Sequence, residues 1–152
     1  DLPAAILAAH RARPGGARVA TIDVVEQELA RGSFRRELRY QAEAPLPALD
    51  RVLRGRAIAR DMLQWRERFD YALATHAASW QVRPAPAYER YFDAHGTYRL
   101  EPREGGRTRR VVEGELVVMV PVLGRVIERI ALAEVHKSYD AEAEALRRLA
   151  IL

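Results

Sequence analysis

The chain has no cysteine, which removes disulfide frameworks and thiolate metal sites and leaves the compartment unconstrained by redox chemistry. It has a single lysine, Lys137, so its positive charge is almost wholly arginine. No apolar run approaches the length of a membrane span, and no basic, apolar and small-residue succession of a signal peptide opens the chain. A soluble, cytoplasmic protein is expected. Asp1 is not an initiator methionine, so loss of the natural N-terminus through processing, cloning or disorder is expected too. There is no internal repeat, low-complexity stretch or linker, and 152 residues suit one domain spanning 1–152 with one sizeable core.

The net charge of +4 raises the question of nucleic acid. The arginines alternate with acids along every segment instead of gathering on one helix, and no helix-turn-helix, zinc-finger or RNP pattern occurs. Nucleic acid is therefore not an expected partner.

What the chain does have lies mostly in its last third. Val112, Gly114, Leu116, Val118 and Val120 alternate with Val111, Glu113, Glu115, Val117 and Met119, the period-2 pattern of a strand with one drier side. Pro121 ends that strand and Gly124 frees the turn. From Val126 the spacing becomes helical: Val126, Ile127, Ile130, Ala131, Val135, Ser138, Tyr139, Glu142, Leu146 and Leu149 share one stripe. Arg125, Arg129, Lys137, Asp140, Glu144, Arg147 and Arg148 lie opposite.

Upstream, Leu2 to Arg11 reads as a short helix stopped by the RPGG at Arg13 to Gly16. Strands are expected at Val19–Leu29, Phe34–Glu43, Met62–Tyr71, Ala77–Val82 and Tyr88–Leu100, with turns at Ala30–Ser33 and Glu104–Arg107. Pro45–Arg60 reads as a short helix or irregular crossing element. The sum is an α+β fold in which an antiparallel meander wraps the apolar stripe of one long C-terminal helix.

Three stretches, QWRERFDY, HGTYRLEPREGGRTRRVVEGELVV and VPVLGRVIERI, with the terminal helix, resemble the START-like or SRPBCC superfamily of helix-grip domains, a group that includes lipid-transfer domains, Bet v 1 relatives and polyketide cyclases. The nearest likeness is to a bacterial START-like family of unknown function. The resemblance covers roughly Val19 to Leu149. Such domains open with a strand that pairs into the sheet, and no such strand precedes the first helical segment of this chain.

The resemblance implies binding, and in some relatives transport, of a hydrophobic or amphipathic small molecule between sheet and helix, with no cofactor or metal. It also admits transient contact with a membrane surface. The inward candidates are Tyr40, Trp65, Phe69, Trp80, Phe92 and Tyr98 from the sheet, with Met119, Ile127, Ile130 and Glu134 near the helix. Three charged residues fall among apolar neighbours by alternation: Arg36, Glu67 and Asp23. Arg36 and Glu67 suit a buried ion pair or a head-group anchor, since a charge taken out of water must meet a partner.

Motifs for catalysis are thin. His10, His76, His95 and His136 lack metal-ligand spacing, and the serines sit in no nucleophile elbow. A cofactor-free polyketide cyclase or aromatase is the second hypothesis, with Tyr98, His95, Glu67 and Arg36 as its acid/base candidates. The third is an interaction module with a filled interior and an apolar outer patch near Val117, Met119 or an Ala77–Val82 edge.

Overall fold

A computed structural model of the chain describes residue 8 and residues 19–45, 47–54 and 59–150. The expected helix at Leu2–Arg11 lies outside the described residues except for Ala8, which is helical. His10 and the RPGG stop also lie outside them.

Six strands form one antiparallel sheet in chain order: β1 (Val19–Ala30), β2 (Ser33–Ala42), β3 (Gln64–Ala72), β4 (Ala77–Pro84), β5 (Phe92–Arg103) and β6 (Arg107–Val118). A short helix, α1 (Pro47–Leu53), lies between β2 and β3, and the long helix α2 (Gly124–Ala150) follows β6. This is the expected α+β layout.

Turn chemistry sets the hairpins. Arg31 and Gly32 have φ of 27° and 92°, the paired positive values that a two-residue hairpin loop needs, and Ser33 Oγ donates to the Ala30 carbonyl at 3.0 Å. At the β5–β6 turn, Gly105 and Gly106 take φ of 73° and 69°. The expected strand starts at Met62 and Tyr88 are corrected. Short 3-10 turns at Arg60–Leu63 and Pro86–Tyr91 come first, because Met62 N–H bonds the Ala59 carbonyl and Tyr88 N–H bonds that of Ala85. The Tyr88 hydroxyl then donates to Asp61 Oδ1 at 3.1 Å, tying the two turns together.

Register decides which side chains meet. Phe34, Arg36, Leu38 and Tyr40 of β2 stand opposite Tyr71, Phe69, Glu67 and Trp65 of β3. Glu67 pairs with Val82, Phe69 with Trp80, and Trp80 with Gly96. Gly96 in turn pairs with Gly114, and Tyr98 with Val112. Paired residues of antiparallel strands share a face. This inner face is the one α2 covers, because Arg110, two residues before Val112, bonds Glu142 and the Tyr139 carbonyl of the helix.

Helix α2 keeps the stripe the spacing dictates. Ile127, Ile130, Ala131, Val135, Tyr139 and Glu142 are partly buried, Ala145 is buried, and Arg125, Arg129, Lys137, Asp140 and Glu144 are exposed. Val126 is 42% exposed and leaves the stripe at its first turn. The helix is clamped at both ends of β6: Glu128 Oε1 accepts from Val118 N–H at 2.8 Å, and Arg110 Nη1 donates to Glu142 Oε2 at 2.9 Å.

Val19, Leu38 and Tyr40 form the buried cluster, with Ile22 and Trp65 packed against it. Asp23 does not share the face of Val19: register shifts between Val19 and Thr21 and between Val24 and Glu26 interrupt the alternation. Asp23 pairs instead with Arg39 at 3.1 Å, both side chains being exposed. Ala77–Val82 is not an edge either, since β4 lies between β3 and β5. No helix among the described residues is long and apolar enough to cross a membrane.

Candidate site on the helix-facing side of the sheet

Polar side chains reach an apolar face here because strand alternation and helical spacing put them there. Arg36 sits between Phe34 and Leu38 on β2, Glu67 between Trp65 and Phe69 on β3, and Tyr139 and Glu142, three residues apart, on one side of α2. The sheet and helix bring these four together.

Arg36 is 8% exposed, and its Nε has no hydrogen-bond partner. Its guanidinium carbon lies over the Phe69 ring, 5.9 Å from the ring centre, within cation–π range. No ion pair joins it to Glu67. Burial, reinforced by the Glu142 charge, pushes the Glu67 carboxyl up to about 7 against the opposing pull of Arg36 and of the Tyr40 hydroxyl. Tyr40 is raised well above its ordinary value by burial and by the Glu67 charge. Burial also raises Tyr139, again with help from Glu67 and then Glu142. The same cause, burial, raises Tyr98.

Aromatic rings frame this polar group. Tyr40 and Trp65 stack with centroids 5.2 Å apart and planes 5° from parallel. On the other side Tyr98 meets Phe69 edge-on at 5.4 Å and Tyr71 at 6.2 Å. The Tyr71 hydroxyl is 3.0 Å from His76 Nδ1. Arg110 is 5.7 Å from the Tyr139 ring centre, so the helix end of the group is held by a cation above an aromatic ring as well as by its bond to Glu142.

Among the expected site residues, Arg36, Tyr40, Trp65, Glu67, Phe69 and Tyr98 are thus brought together. Trp80 stands in the same inner row, but its ring fills the space where Gly96 and Gly114 carry no side chain, and its Nε1 donates to the Thr97 carbonyl at 3.2 Å. Phe92, partly buried, pairs with Val118 at the far end of β5. Ile127 and Ile130 lie on the inner stripe of α2, and Glu134 pairs with Lys137 at 2.8 Å.

Met119 does not point inward: it lies one residue past β6, 50% exposed, with its N–H bonded to the Tyr91 carbonyl. His95 is likewise corrected. Alternation turns Ala94 and Gly96 inward, leaving His95 on the outer face at 3.0 Å from Asp93. Sequence reasoning put Tyr139 and Glu142 on the helix stripe without making them site candidates, and did not single out Arg110 or Tyr71. Arg110 was detectable as a polar residue in phase with Val112 on β6.

Two open depressions lie away from this group. One, of about 650 Å³, is lined by Arg103, Glu104, Arg107, Thr108 and Arg109 at the β5–β6 turn. The other, of about 380 Å³, is lined by Arg68, Asp70, Ser79, Trp80, Gln81, His95 and Gly96. The first has only exposed walls with Arg103 paired to Glu101, and the second holds the Arg68–Asp70 pair, so the inner face carries the more distinctive chemistry.

No curated protein matches the chain. Residues 5–149, almost its whole length, match the family described as "Protein of unknown function (DUF2505)". A sheet of six strands in chain order and a C-terminal helix gripping it through Arg110 and Glu128 are thus the fold of a DUF2505 protein, and it is to that family that the chain belongs.

Proposed function

We propose that the protein binds an amphipathic small molecule between the inner face of the sheet and α2. The apolar part would rest on the Tyr40–Trp65 stack and the Phe69, Tyr71 and Tyr98 rings, and the polar end would meet Arg36, Glu67 and Tyr40. The single observation that carries this reading is Arg36, a cation withdrawn from solvent with an unpartnered Nε among aromatic rings. A buried charge left unpaired is costly, and an acceptor brought by a ligand offsets that cost. The layout is compatible with a helix-grip domain, and the START-like resemblance supports the same class of ligand.

The test is uptake of the apolar fluorophore N-phenyl-1-naphthylamine by the wild type and by Ile130→Trp. The wild type is expected to enhance the fluorescence and the variant to lose the enhancement while keeping its circular dichroism. Equal enhancement in both proteins would place the probe elsewhere and count against the site.

A cofactor-free acid/base enzyme is the second reading, favoured by one feature: the Glu67 carboxyl, pushed up to about 7 by burial, is suited to exchange protons near neutrality. On this reading Glu67→Gln keeps ligand uptake and loses conversion. Recovery of a bound polyketide-like compound unchanged from the wild type contradicts it.

A further inference from the structure

The binding reading leaves the head group open, and the charges around Arg36 narrow it. Each element packed against the inner face contributes: Arg36 and Tyr40 from β2, Glu67 and Tyr71 from β3, Tyr98 from β5, Arg110 from β6, and Tyr139 and Glu142 from α2. Of the acids, Glu142 is engaged by Arg110 at 2.9 Å, and Arg110 is further held by the Tyr139 carbonyl at 3.2 Å. Glu67 feels the Arg36 charge and the Tyr40 hydroxyl, both of which favour its ionised form, but makes no ion pair with Arg36. Among the described residues no carboxylate forms an ion pair with Arg36, whose guanidinium rests on Phe69 with Nε free.

We propose that the ligand is an amphiphile with a singly charged acidic head group, a carboxylate in the simplest case, seated on the Nε edge of Arg36. This deepens the binding reading and rests on it. A neutral acceptor such as an alcohol or ketone satisfies Nε but leaves the buried charge uncompensated, whereas a carboxylate does both with a charge-assisted bond. A cationic head group meets Arg36 with like charge. A doubly charged phosphate sets its second charge against Glu67 and Glu142.

The experiment is calorimetric titration of the whole protein with dodecanoate and with dodecanol at slightly alkaline pH, repeated on Arg36→Met. Dodecanoate is expected to bind the wild type about tenfold more tightly than dodecanol, the margin one charge-assisted bond gives. In Arg36→Met the preference should vanish while dodecanol binding persists. Equal affinities in the wild type, or a preference that survives in Arg36→Met, overturn the acidic head group and leave the binding reading standing. Failure of both compounds to bind the wild type overturns the two together. The wild-type comparison decides the matter even where the variant does not fold.

Discussion

Leu38, the most deeply buried large side chain described, stands directly across the β2–β3 ladder from Glu67. Burial on this face is the first cause that pushes the Glu67 carboxyl up to about 7, and the Glu142 charge is the second.

The pH dependence of stability follows from that displacement. The native carboxyl binds its proton up to about 7, against 4.5 for an ordinary glutamate as in the unfolded chain, so between those values the folded state holds more proton than the unfolded state. Stability contributed by the neutral form is full below pH 4.5 and is lost as pH rises toward 7. The loss is at most about 3 kcal/mol. Glu67→Gln should abolish this slope, making the variant's urea midpoint flatter than that of the wild type across the window. An unchanged slope in the variant would assign the titration to another group.

Arg36 and Leu38 should respond oppositely to substitution even though they are two residues apart on one strand. Arg36→Met exchanges a buried, unpaired charge for an apolar chain of similar length, and the ligand-free protein should melt at the same temperature or higher. Leu38→Ala opens a hole in the buried cluster and should cost about 2–5 kcal/mol. Thermal melts of both variants check the pair. A large destabilisation by Arg36→Met would mean that the guanidinium stabilises the empty fold.

Gly114 is a packing position and Gly105 a turn position. A Cβ at Gly114 would lie 2.5 Å from the His95 carbonyl and 2.8 Å from Trp80 Cη2, while at Gly105 it would meet nothing within 4 Å and only the φ of 73° opposes it. Gly114→Ala should therefore cost about 2 kcal/mol or more and disturb Trp80 fluorescence. Gly105→Ala should cost about 1 kcal/mol and leave the emission unchanged. Equal costs would contradict the close approach of Trp80 to the paired glycines.

Arg110 holds the later turns of α2 to the sheet. Arg110→Ala removes the bonds to Glu142 and to the Tyr139 carbonyl, so amide exchange should accelerate around residues 139–146 more than around Glu128. Uniform acceleration along the helix would show that the clamp at Val118 carries both ends.

The strand order and the terminal helix were legible in the sequence because period-2 and period-3.6 patterns are local and uninterrupted in β2, β3, β6 and α2. The inward placement of Arg36, Tyr40, Glu67 and Phe69 follows from the same alternation. Asp23 escaped it because bulges in β1 reset the phase, an event without a residue signature in VATIDVVEQELA. Met119 and His95 show a different gap: alternation gives two faces, and assigning a side chain to the inner one requires the partner strand. Trp80 looked like a ligand contact because its use of Gly96 and Gly114 is a pairing across three strands, invisible along the chain. The Arg110–Glu142 clamp joins residues 32 positions apart, and only the docked helix reveals it.

Occupancy of the inner face by an amphiphile can be read from native mass spectrometry of the purified protein, followed by organic extraction of what co-purifies. The expected result is a stoichiometric apolar adduct carrying one acidic group, depleted in Arg36→Met and in Ile130→Trp. A clean mass for the wild type that stays clean after incubation with dodecanoate would contradict it.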